Sequence, residues 1–167
     1  MTALSQRLRD GLNRFQYALS ADFREAIKEA SDIEALVQND QFVADFLSAL
    51  ADRIHADNVE AGWWTDIATG EDLHGKRNVP EMLCLIHSEI SEGMEGYRKK
   101  LMDDKLPHRP MLRVEMADAV IRILDLMGSQ DNGEHPFGTL FQEKRHFNRH
   151  RADHKVENRL KDGGKAF

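Results

Sequence analysis

Four acids pose the first chemical question about this chain. Glu89 and Glu92 stand three residues apart in "HSEISEGMEGYR", and Glu115 and Asp118 repeat that spacing in "MLRVEMADAVIRILDLMG". Residues three apart on a helix differ by about 60° around the axis and roughly 4.5 Å along it, so each pair projects two carboxylates from one side. Like charges placed there repel unless something positive lies between them. Glu95 continues the spacing but turns further away and reads as an ordinary surface acid. The second pair is the more informative, because its helix is apolar around more than half its circumference, which implies burial. Glu115, Asp118, Arg122 and Asp125 make its one polar stripe. Bare buried carboxylates are too costly to keep and need cations, hydrogen bonds or a metal. Four carboxylates closing on a point make a hard oxygen cage, suited to Mg²⁺, or Mn²⁺ in its place, rather than Zn²⁺. A solvated acidic face is the competing reading of either pair alone. Two pairs on one helical hairpin favour the metal.

The elements that must position these acids follow from helical periodicity, and nothing in the chain alternates at period two. The expected class is all-α. Asn78-Val-Pro-Glu81 starts the first acid-bearing helix, with Asn78 as cap, Pro80 in the tolerant first turn and Glu81 at the capping-box position. It should end near Asp103, before the two prolines of "DDKLPHRP". Its expected core face is Met82, Leu83, Ile86, Ile90, Met94, Tyr97 and Leu101, with Cys84 a small core residue and Leu85 on the acids' side. The second acid-bearing helix should run from Met111 to Met127 and stop at Gly128. An antiparallel hairpin across the proline turn would bring the two acid pairs face to face.

Upstream, Asp40 can cap a helix carrying Phe42, Val43, Phe46, Leu47, Leu50 and Ile54, followed by the glycine-containing loop "EAGWWTDIATGEDLHGKRN". Residues 1–39 read as a helical extension. Leu4, Leu8, Leu12, Phe15 and Leu19 form one stripe, and Ser20 caps a second helix with Phe23, Ile27, Ala30, Ile33 and Val37. Residues 40–167 would form the main domain, closed by a helix from about Phe137 to Arg151 and a basic tail.

Composition limits the alternatives. With 167 residues, 41% hydrophobic and 31% charged, the chain suits one soluble globular domain with an appendage. No apolar run approaches membrane-spanning length, and a lone cysteine excludes an internal disulfide framework, so a cytoplasmic location is expected. The formal charge of −6 is uneven: from Glu143 to Phe167 there are eight Lys/Arg against four Asp/Glu. A basic tail of that kind can bind nucleic acid or supply phosphate ligands to an acidic, metal-loaded body.

"Glu89-Ile-Ser-Glu92" followed by "Glu115-Met-Ala-Asp118" resembles the ExxE…ExxD signature of the MazG-like all-α NTP pyrophosphohydrolases, relatives of the dimeric dUTPases. "RNVPEMLCLIHSEISEGMEGYR" and "EMADAVIRILDLMG" are similar in wording too, and the resemblance spans about Phe46 to Phe167. It implies hydrolysis of the α–β phosphoanhydride of an NTP or dNTP to the monophosphate and pyrophosphate. It also implies helical hairpins from two chains packed into a four-helix bundle, so a homodimer or homotetramer. Glu89, Glu92, Glu115 and Asp118 would hold Mg²⁺, with one of them serving as base. Lys144, Asn148 and Arg151 resemble the family's phosphate-binding Lys, Asn and Arg, and their spacings of four and three put them on one helix face. "HADNVEAGWW" resembles the family's first helix and its aromatic end, giving His55, Asn58, Trp63 and Trp64 as nucleobase contacts, although at least one of the two tryptophans should be core.

Rival chemistries fit less well. A ferritin-like di-metal bundle wants two Glu-x-x-His motifs on bundle helices, and among the expected helices only Glu143-x-x-His146 fits. There is no adjacent His-Asp pair for an HD-type phosphohydrolase and no GxxxxGK[ST] for a P-loop NTPase. A non-catalytic helical interaction module, binding nucleic acid through the basic segment, leaves the acids of a buried helix unexplained. A nucleic-acid partner and a membrane partner are both disfavoured.

Overall fold

The computed structural model of the protein describes residues 38–131 and 133–161, and these are built from helices. They are α1 (Asp40–Glu60), α2 (Val79–Lys99), α3 (Met111–Gln130) and α4 (Phe137–His150), then a 3₁₀ turn (Ala152–His154) and the short α5 (Val156–Arg159). The chain is all-α as expected: pairing of extended backbone among the described residues is limited to isolated bridges. No helix among them is long and apolar enough to cross a membrane. Packing divides the chain into two compact units, one of residues 50–131 and one whose described part is residues 38–49 and 133–161. The stripes and caps expected between Leu4 and Val37, and the final six residues of the tail, lie outside the described residues.

Within residues 50–131 the central feature is the α2–α3 hairpin. Asn78 caps α2, accepting from the backbone N–H of Glu81, and Pro80 sits in the first turn where no N–H is missed. The helix closes earlier than expected, at Lys99. Lys100 takes a left-handed conformation (φ 55°) and its N–H reaches back to the carbonyls of Gly96 and Tyr97. The proline turn is organised by Asp103, which is buried and accepts from the N–H groups of Lys105 and Leu106. α3 then returns antiparallel to α2. Gly93 and Gly96 make the close approach possible. A Cβ at Gly93 would lie 2.8 Å from Met116 Cε and 3.3 Å from Glu115 Cβ, and one at Gly96 would lie 2.8 Å from Met111.

Gly128 does not stop α3, which continues to Gln130. Its role is contact instead: a Cβ there would come within 2.7 Å of the Ala51 carbonyl oxygen and of His55 Cβ on α1. The cap of α1 is also one residue earlier than expected, since Asn39 rather than Asp40 accepts from the N–H groups of Gln41 and Phe42. α1 ends in a Schellman motif, with Gly62 at φ 84° and Trp63 N–H bonding back to Asn58 O. The following loop folds on itself through Leu73 N–H to Trp64 O and a Thr65–Asp72 bridge. Trp64, Met82, Ile86, Ala119 and Leu126 form the core of this unit.

The expected core face of α2 is only partly a core. Met82 and Ile86 are buried, but Leu83, Ile90, Met94, Tyr97 and Leu101 are exposed, and so is Cys84. The reason is angular. The buried seam is Met82, Ile86, Glu89, Gly93 and Gly96, and the exposed apolar residues lie about a quarter-turn around the helix from it. One partner helix can cover one seam. On α3, Val120 and Ile123 are exposed in the same way. Because the helices are antiparallel, a quarter-turn in the same sense from each seam leads to one side of the hairpin. That side is an uncovered apolar stripe.

In the other unit, α4 packs on the start of α1. The Gly138 N–H donates to Ser48 Oγ at 3.0 Å, and a Cβ at Gly138 would collide with the Ala44 backbone. Gln142 donates to the Asp40 carbonyl, and Arg145 pairs with the Asp40 side chain.

Candidate metal and phosphate site

The hairpin brings the expected acids together on the side opposite the apolar stripe. Glu89 and Glu115 face each other across the seam and are 8% and 7% exposed, while Glu92 is exposed. One carboxylate oxygen from each of Glu89, Glu92 and Glu115 lies within 4.8 Å of the other two. Asp118 stands outside that trio but lines the same cavity, of about 700 Å³. Gly93 sits beside the trio, and its lack of a side chain sets the separation of the helices carrying Glu89 and Glu115.

The electrostatics of the trio are those of crowded anions. The Glu115 carboxyl is pushed up to about 7, first by burial, then by sharing a hydrogen bond with Glu89 and by the charges of Glu92, Glu89 and Asp118. Glu89 is offset on its other side by Arg122, whose Nε donates to Oε1 at 2.7 Å. A proton and a guanidinium are what two partly desolvated carboxylates use when no ion lies between them. Oxygen-only donors at this separation fit a hard divalent cation. By contrast Glu95 is an ordinary surface acid, paired with Arg98 and Lys99. Ser88 and Ser91 only back-bond to the carbonyls of Leu85 and His87.

Beyond the acids, Asn58, Trp63 and Arg77 line the same cavity. Trp63 is 67% exposed, whereas Trp64 is 3% exposed and belongs to the core. The two adjacent tryptophans therefore differ in kind. Trp64 Nε1 donates to Asp125 Oδ1 at 3.0 Å, its ring stacks on His74, and the Arg77 guanidinium lies 5.4 Å from its centroid. His55 has both ring nitrogens engaged, Nδ1 with Asp125 at 2.8 Å and Nε2 with His74 Nε2 at 3.1 Å. Of the four expected base contacts, Asn58 and Trp63 border the cavity, and His55 and Trp64 brace the loop behind it.

Lys144, Asn148 and Arg151 belong to the other unit. Lys144 and Asn148 lie on α4, but Arg151 is beyond its end in extended backbone (ψ 132°), so the three do not share one helix face. Lys144 and Arg151 flank the Phe147 ring at 4.9 and 5.7 Å, and Arg151 forms two hydrogen bonds to the Asp153 carboxylate. The Asn148 Oδ1 is buried and has no hydrogen-bond partner among the described residues.

Sequence reasoning missed four contributors to the acid site. Arg122 and Asp125 were visible as part of the polar stripe on α3, at spacings that place them beside Asp118. Gly93 gave no local signal, because it acts on α3, some twenty residues away; Asp103 acts locally, on the N–H groups two and three residues on, inside a turn read only from its prolines. No protein-family model matches the chain, and neither curated proteins nor solved structures give a significant match.

Proposed function

We propose that this chain is a Mg²⁺-dependent nucleoside triphosphate pyrophosphohydrolase of the MazG-like kind. The observation that carries the proposal is the trio Glu89, Glu92 and Glu115, with oxygens within 4.8 Å, opening on a cavity also lined by Asp118, Trp63 and Asn58. A volume of about 700 Å³ is in the range that admits a nucleotide. The cavity's lining combines hard anionic oxygens with an exposed indole and an amide, groups that complement a metal-bound polyphosphate joined to a flat base.

Glu89, Glu92, Glu115 and Asp118 would hold Mg²⁺, with Mn²⁺ as substitute. When bound, such an ion supplies charge neutralisation of phosphate oxygens and a more acidic water. The chain's own groups do the rest. Water attacks the α-phosphorus, the α–β anhydride bond breaks, and the products are a nucleoside monophosphate and pyrophosphate. An acid of the cluster takes the proton from the attacking water, and Glu115, whose carboxyl is pushed up to about 7 by burial and the acids around it, suits that role. Trp63 stacks on the base and Asn58 bonds its edge.

The apolar stripe of the hairpin supports assembly of two chains through a four-helix bundle. Leu83, Ile90, Met94 and Tyr97 leave the largest apolar side chains of α2 open to solvent. The same stripe favours a second reading, in which the chain is a non-catalytic helical interaction module. The deciding experiment is a panel of NTPs and dNTPs with Mg²⁺ and pyrophosphate detection, alongside thermal melting with and without Mg²⁺. Pyrophosphate release and Mg²⁺-dependent stabilisation are expected. Neither signal, with every nucleotide tested, overturns the enzyme reading and leaves the interaction module.

A further inference from the structure

Four carboxylates and one divalent ion leave the site with net negative charge, and its proposed substrate is a polyanion. Some cation of the chain must therefore face the phosphates. Among the described residues, three cations line the cavity: Arg77, Lys105 and Arg122. Arg77 spends its NH1 on the Trp63 carbonyl at 2.6 Å and sits over Trp64. Lys105 is almost fully exposed in the proline turn, and Asp104 takes its charge at 3.5 Å. Arg122 alone is fixed within the acid cluster.

Its fixing is asymmetric. Nε donates to Glu89 Oε1 at 2.7 Å, and that bond holds the plane of the guanidinium. The two terminal nitrogens make no hydrogen bond with a described residue, and no ion pair joins Arg122 to Asp118 one turn earlier. The side chain is 44% exposed and lines the cavity. An arginine whose Nε is held keeps its end-on NH1/NH2 edge for a second partner, and that edge matches two oxygens of a phosphate.

We propose that Arg122 is a phosphate-binding residue of this site, contacting non-bridging oxygens of the nucleotide's phosphate chain through its terminal nitrogens while its Nε stays on Glu89. The inference rests on the pyrophosphohydrolase reading above. It assigns one side chain two tasks: orienting a ligand carboxylate, and offsetting charge on the phosphate as the α–β bond breaks.

The test compares the wild-type chain with Arg122→Gln and Arg122→Lys. Three readouts are needed: hydrolysis rates, Mg²⁺-dependent melting, and calorimetric binding of a non-hydrolysable α,β-methylene triphosphate analogue with Mg²⁺ present. Arg122→Gln should weaken analogue binding and lower kcat/KM by roughly tenfold to a hundredfold, while the Mg²⁺ shift in Tm persists. Arg122→Lys should recover part of both losses. If Arg122 were only the counter-ion of Glu89, Arg122→Gln would change the Mg²⁺ response and leave analogue binding at the wild-type value, which overturns the proposal. A wild-type chain that hydrolyses no nucleotide yet binds the analogue through Arg122 sinks the catalytic reading alone. Absence of analogue binding by the wild type sinks both.

Discussion

The two long sides of the α2–α3 hairpin invert the usual relation between polarity and burial. On one side Glu89 and Glu115 are 8% and 7% exposed, and on the other Met94 and Tyr97 are 65% and 73% exposed. Carboxylates are costly to desolvate, whereas apolar surface gains about 25 cal/mol per Å² when covered. A single chain has thus hidden its expensive groups and left its inexpensive ones in water. The difference teaches what each side lacks. The acidic side crowds carboxylates against Arg122 around a shared cavity, and the apolar side exposes a stripe of large side chains.

The largest effect should come from the acidic side. On the proposed reading Glu115→Gln removes a metal ligand, and it also removes the carboxyl that shares a hydrogen bond with Glu89. Loss of an outer-shell partner alone typically costs a metal site about 10–100-fold, so loss of a ligand should lower hydrolysis by about a hundredfold or more. Mg²⁺-dependent stabilisation should vanish in the same variant. Without metal, the variant should melt at or above the wild-type temperature, since a crowded, partly desolvated carboxylate has been neutralised. A variant that keeps its turnover would show the acids to be structural.

Next in size is a charge on the apolar side. Ile90→Glu places a carboxylate in the stripe, about a quarter-turn from the seam, without touching the acid trio. If a second copy covers the stripe, the substitution should weaken association by about 2 kcal/mol, near thirtyfold in Kd, as read by analytical ultracentrifugation. Binding of Mg²⁺ should be unaffected. A wild-type chain that sediments as a monomer at every accessible concentration removes the need for a covering copy.

The seam between the two sides gives a smaller effect. Gly93→Ala would bring a methyl group to 2.8 Å from Met116 Cε and 3.3 Å from Glu115 Cβ. Met116 can yield, being flexible at its end, but the Glu115 stem is closer to the backbone. A loss of about 1–2 kcal/mol in chemical denaturation is expected. A weaker Mg²⁺ response should accompany it, because the trio depends on the helix separation. Unchanged stability with an unchanged response would mean the seam has slack.

These contrasts also mark what the sequence could and could not disclose. The hairpin, its Asn78 cap and its two acid pairs were legible because they are local: periodicity, a capping side chain and spacing of three act within one helix. The burial of Glu115 was legible from the apolar residues around it. The apolar stripe on α2 was visible too, but within the single chain only its Met82 and Ile86 are buried. Periodicity locates an apolar face without saying which neighbour covers it, and two faces a quarter-turn apart merge on a helical wheel. Gly128 was misread for a related reason. A glycine near a helix end suggests a stop, and only the approach of Ala51 and His55 on α1 reveals a packing role. Trp63 and Trp64 could not be separated in advance. Their fates diverge through Asp125, which is sixty-one residues from Trp64 in sequence and accepts its indole N–H.

The smallest expected effect is the most specific to the acidic side, and it is read from the metal-free protein. Crowding and burial raise the Glu115 carboxyl from an ordinary 4.5 to about 7 in the folded state. Between those values the native chain holds a proton that the unfolded chain has released. The slope of stability with pH is therefore negative, and the stabilising contribution is complete below about 4.5 and lost as pH rises through about 7. Melting followed in EDTA should show Tm falling across that window by more in the wild type than in Glu115→Gln. Added Mg²⁺ should reverse the trend, because the ion needs the carboxylate deprotonated and so binds better as pH rises. Ile123→Ala removes an apolar side chain and no titrating one, so it should shift the whole curve without changing its slope. Parallel curves for wild type and Glu115→Gln would mean that the three acids do not share a proton, and the contrast between the two sides would then reduce to shape alone.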